Sequence, residues 1–212
     1  MKKFIKVTIV ATALTIALCS CGGVENTVTE GDVSTETAQK ADNMKEYSIN
    51  ECSFMAPGDM VESESATGEI VLESKNYKKD GFKISGYGVG HTTYVNDPLK
   101  KTYEEWNTSK EETGVKIEKI SYDYKDGEKF EEVSHIVKYE YLKGSSHYDI
   151  AELGSYFEDD EKLPDKIVVY EGHKTIVNKA DKSQAIELSV TSKTDEHIDT
   201  MQKVLNSLNW AK

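Results

Sequence analysis

The side chains that could carry chemistry are few and far apart. Five histidines, His91, His135, His147, His173 and His197, are the groups whose ordinary pKa lies near neutrality. No two of them stand at the i, i+4 spacing of a helical zinc motif, and none lies near a pair of cysteines. His135 shares a strand face with Val137 and Tyr139, so a packed imidazole is expected there rather than a metal ligand. Glu158-Asp159-Asp160-Glu161 is the densest acidic run, and such oxygens suit calcium. The run lacks the alternating ligand spacing and the turn glycine of an EF-hand loop, which leaves a solvated loop. Asp123-Tyr124-Lys125-Asp126-Gly127 is read as a hairpin turn. Gly86-x-Gly88-x-Gly90 has the outline of a phosphate loop, but that motif needs its glycines at the start of a helix. These glycines fall within a strand, where one bare face leaves room for something bulky: the Trp106 helix, or a ligand. Ser145-Ser146-His147 beside Gly144 is a loop by composition, without the Gly-x-Ser-x-Gly elbow of a serine hydrolase. Cys52 follows Glu51, whose charge disfavours a thiolate, and reads as a small core residue. No catalytic, metal or cofactor role is assigned to any of these positions.

One cysteine carries a clearer chemistry. Lys2, Lys3 and Lys6 precede an apolar run from Val7 to Leu18, the pattern of a secretory signal. The run is shorter than the roughly 20 apolar residues of a membrane-spanning helix. It ends in Leu18-Cys19-Ser20-Cys21, which resembles a lipobox, with an aliphatic residue three before the cysteine and a small one just before it. Cys19 fits less well, because bulky Leu18 precedes it. Residues 1–20 are therefore expected to be a lipoprotein signal peptide, and Cys21 the lipid attachment site and new N-terminus.

Cleavage there removes three lysines and no acid, leaving 23 Lys against 38 Asp and Glu, a net charge of −15. That balance strongly disfavours nucleic acid and anionic headgroups as partners, and no nucleic acid is expected. The chain has no arginine, which excludes sites built on bidentate guanidinium clamps. With Cys21 lipidated, Cys52 has no partner within the mature chain, so a disulfide framework is excluded. Residues 22–45 are polar, acidic and free of aromatics; with Cys21 they read as a flexible tether. As a coil this tether would span about 25–30 Å.

Residues 46–212 have the composition of one domain. Asp97-Pro98 opens a helix with an apolar stripe of Leu99, Tyr103 and Trp106, and Gly114 stops it. A second helix runs from Thr194 to Leu208, with Ile198, Met201, Val204, Leu205 and Leu208 on one face. Elsewhere the apolar period is two: strands are expected at 69–73, 82–91, 115–124, 133–142, 167–177 and 186–191. Gly172-His173 is read as a possible hairpin turn. This order gives an α+β domain, an antiparallel β-sheet with two main helices packed on it.

The layout also resembles a known family. Ser53, Phe54 and Pro57 precede Gly58-Asp59-Met60; a strand pair, the Asp97-Pro98 helix and long strands follow. The chain then closes with a helix ending Val204-Leu205-Asn206-Ser207-Leu208-Asn209-Trp210. Over residues 46–210 this is similar to the PsbP-like fold. That fold is shared by the PsbP extrinsic proteins of photosystem II, a Ran-binding nuclear import factor and bacterial PsbP-like lipoproteins. The resemblance implies a binding or assembly role and brings no catalytic residues with it.

The sequence thus predicts a lipoprotein held at the cell membrane through Cys21, on the extracytoplasmic face of a bacterium. It would be a non-catalytic binding or assembly module of the envelope, monomeric, without cofactor, with an envelope protein as its possible partner. Lysine-rich, arginine-free coding points to a Gram-positive envelope. The alternative is an envelope hydrolase or metal-dependent enzyme. It requires at least two of His91, His135, His147 and His173 to converge with acids in one pocket. A transporter's substrate-binding lipoprotein would need two lobes, more than about 165 residues supply.

Overall fold

Alternating apolar positions build a long antiparallel sheet. The computed structural model describes residues 43–65, 68–89, 99–112, 115–143, 164–182 and 184–210. The signal segment, most of the tether, Gly90, His91, Asp97-Pro98, Gly114, Ser145 to His147 and the acidic run 158–161 lie outside them. The elements in chain order are β1 (Met44–Ile49), β2 (Cys52–Pro57), β3 (Val61–Glu62), β4 (Glu69–Glu73), α1 (Tyr77–Asp80), β5 (Lys83–Val89) and α2 (Leu99–Glu112). Then follow β6 (Lys116–Asp126), β7 (Phe130–Leu142), β8 (Lys166–Asn178), β9 (Ala185–Ser192), α3 (Ile198–Ser207) after a 3₁₀ turn at Asp195–His197, and β10 (Asn209–Trp210). Seven strands pair in the order β3-β4-β5-β9-β8-β7-β6, antiparallel throughout, and β1-β2-β10 form a second, small sheet.

The period of two sends neighbouring residues to opposite faces of the large sheet. One face carries Ile84, Ile136, Ile176, Leu188 and Val190, all buried against Met201, Val204 and Leu205 of α3 and against Ile49 and Phe54 of the small sheet. Each such side chain contributes about 1.5–3 kcal/mol on burial, so this layer is the main store of stability. The other face carries Val133, Val177 and Ala185 beneath Leu99 and Tyr103 of α2. Val137, Tyr139, Tyr141, Ile167 and Val169 continue it. Two principal helices on an antiparallel sheet match the α+β expectation, with α1 a single extra turn.

Several local expectations change. Residues 172–173 do not turn: β8 runs unbroken from Lys166 to Asn178. Gly172 is bare because α3 lies on it; a Cβ there would stand 2.8 Å from Leu205 Cδ1. The Gly86 and Gly88 face meets the β1–β2 hairpin rather than the Trp106 helix. A Cβ at Gly86 would fall 2.0 Å from Ile49 Cδ1, and one at Gly88 2.8 Å from Asn50 Nδ2. Asn50 itself takes the left-handed conformation (φ 49°) that a two-residue turn between paired Ile49 and Cys52 requires. Asp123 to Asp126 belong to β6, and the turn to β7 comes just after them, closed by the Gly127 N–H donating to the Phe130 carbonyl at 3.0 Å.

The closing segment is tied down by named contacts. α3 ends at Ser207, and Trp210 is in a strand rather than at the end of the helix. The Ser207 hydroxyl accepts the Met55 N–H at 2.8 Å, Trp210 Nε1 donates to Glu51 at 3.1 Å, and buried Lys174 donates to the Leu208 carbonyl at 2.9 Å. Cys52 sits in this core, 2 % exposed, and burial, with Glu51 adding to it, pushes its thiol up to about 12. That protonated, enclosed sulfur suits packing and not nucleophilic attack.

Candidate functional site

The polar residues of the large sheet gather where α2 crosses it. Pairing places Tyr122, His135, His173 and Ser189 in one row across β6, β7, β8 and β9. The next row reads Tyr124, Val133, Thr175, Glu187 and Tyr87. His135 and His173, far apart in sequence, become direct neighbours because β7 and β8 pair in that register. Their rings stack with centroids 5.2 Å apart. Tyr103 descends from α2 onto His135 at 4.4 Å and stacks on Tyr122 at 4.7 Å.

One carboxylate pins the helix over this row. Glu131 Oε1 accepts the Leu99 N–H at 3.1 Å and the Tyr124 hydroxyl at 2.9 Å. An anion at the first turn satisfies an orphan N–H and matches the positive end of the helix dipole. Burial, together with the hydrogen bond to Glu131, pushes Tyr124 up to about 12, so it remains a donor. Leu99, Thr102 and Tyr103 then share one face at i, i+3 and i+4 spacing. Between that face and the sheet lies a cavity of about 280 Å³, lined by Leu99, Thr102, Tyr103, Val133, His135, His173, Thr175 and Glu187.

His173 is the charged centre. Its Nδ1 stands 3.4 Å from Glu187 Oε1 and its Nε2 3.8 Å from Glu171 Oε2. The Tyr87 hydroxyl donates to the same Glu187 oxygen at 2.8 Å. Burial opposes charge on the imidazole, but the two flanking carboxylates of Glu171 and Glu187 outweigh it and raise His173 to about 9. A histidine held above its ordinary value stabilises the fold fully below about pH 6.5, and that contribution fades as pH rises through about 9. Between those limits the wild type is expected to lose about 2–3 kcal/mol more stability than His173→Gln. Urea unfolding across that range checks this; parallel curves for the two proteins would contradict it.

Of the residues singled out from sequence, the structure brings His135 and His173 together and adds Glu187, Thr175 and Tyr103. His135 is 5 % exposed, packed as expected, yet it also lines the cavity. His197 is elsewhere, 3.0 Å from the buried hydroxyl of Ser192 and stacked on Phe82. His91, His147, the 158–161 run and Cys21 lie outside the described residues. Among the described residues no group of three His, Cys, Asp or Glu is placed to hold a metal ion. Glu187 gave no local signal; it read as the outward half of an alternating strand.

No protein-family profile and no curated protein sequence matches this chain. Solved structures do. The Ran-binding protein Mog1p of Saccharomyces cerevisiae superposes with a TM-score of 0.50 at 10% identity, over 80% of this chain and 96% of its own. The chain has the PsbP/Mog1-like fold. The cyanobacterial PsbP (CyanoP) of Synechocystis, 12% identical, aligns over 84% of this chain and 98% of its own, with a TM-score of 0.46. At such identities a PsbP/Mog1-like chain shares a frame with these proteins, and its site must be read from its own residues.

Proposed function

We propose that this PsbP/Mog1-like chain is a lipid-anchored, extracytoplasmic binding module of a bacterial envelope, and that the cavity beneath α2 is its ligand site. The anchor rests on the lipobox-like Leu18 to Cys21, with Cys21 as the modified residue. The binding role rests on one observation: an open-sided space of about 280 Å³ lies between α2 and the sheet, lined by apolar, aromatic and ionisable side chains. That mixture is typical of small-molecule sites, and the volume falls just below their usual range of about 300–1,000 Å³, which suits a small ligand. A binding fold also fits its place among PsbP/Mog1-like proteins.

The convergence of His135, His173 and Glu187 is what an envelope enzyme would also require. The arrangement favours binding over hydrolysis on specific grounds. The two imidazoles stack on each other, and the hydroxyl-bearing residues among the described lining are Thr102, Tyr103 and Thr175, with no serine among them. His173 is already engaged by two carboxylates, which ill suits a general base. Titrating the protein with the small-molecule fraction of its own envelope tests the reading. The NMR signals of His135, His173, Leu99 and Val133 should shift, and those of Ile120 and Lys125 on β6 should not. Unmoved cavity signals would overturn it.

A further inference from the structure

We draw no further inference here: the strongest candidate, the exposed patch of Lys75, Lys78 and Lys79 around the single turn of α1, carries no proposal because nothing in the structure shows what covers it.

Discussion

Replacing Gly172 with valine is expected to destabilise the protein by about 3 kcal/mol. The position has no room for any side chain. A single added carbon would stand 2.8 Å from Leu205 Cδ1, 3.2 Å from Ile136 Cγ1 and 3.3 Å from Met201 Cε, and all three neighbours are fully buried. Valine adds two methyls beyond that carbon, so α3 must lift or β8 must bend. Against this stands the gain from removing a strand glycine, worth about 0.5–1 kcal/mol and too small to offset the clash. For a domain of this size the melting temperature should fall by about 6–12 °C. Leu205→Ala added to Gly172→Val should return part of the loss, because it removes the nearest obstacle, although Leu205→Ala alone is destabilising. Thermal and urea melts of the four proteins decide it. A Gly172→Val protein as stable as the wild type would mean that α3 does not rest on β8 as described. His173 is the next residue along β8, so the same substitution should also lower binding in the cavity.

Cys21→Ala is expected to release the protein from the membrane almost completely. Each buried methylene of an acyl chain contributes about 0.8 kcal/mol, and two chains together make anchoring stable. Among the described residues no helix is long and apolar enough to cross a membrane. The mature chain's net charge of −15 also repels anionic headgroups. Growth with a palmitate analogue should label the wild type and Cys19→Ala and leave Cys21→Ala unlabelled. Fractionation should place only Cys21→Ala in the soluble pool. Label that survives Cys21→Ala, or no label on the wild type, would contradict the anchor.

Much of the fold was legible because its signals are local. β4 runs over residues 69–73, as its alternation predicts. The stripe of Met201, Val204 and Leu205 places α3, and those three are fully buried. β1, β2 and β10 were not legible as a sheet. They are short, and the pairing of Asn209 with Ser53 depends on the two ends of the domain meeting. Trp210 therefore looked like the last turn of a helix. Gly172 was misread for a similar reason. Its glycine answers a helix 30 residues away, and a turn is what a glycine beside a polar residue suggests locally.

The site was half legible. The alternation of β7 put His135 on the face of Val137 and Tyr139, and that is where it lies. Its partner was hidden because the β7–β8 register, which sets His135 against His173, is not written near either residue. A signal was nonetheless present. Glu171, His173 and Thr175 interrupt an apolar strand on one face, and three polar residues on a covered face call for a partner. α2 and Glu187 are those partners, and only the folded sheet brings them there.

The central claim is that the space beneath α2 receives a ligand. The most direct test is native mass spectrometry of the protein purified, still lipidated, from its own envelope, beside Thr102→Trp. Thr102 lines the cavity, and an indole there is expected to fill it. The wild type should carry a bound small molecule that Thr102→Trp lacks, with both proteins equally folded by circular dichroism. A wild type with no added mass, or the same added mass on both proteins, would contradict the claim.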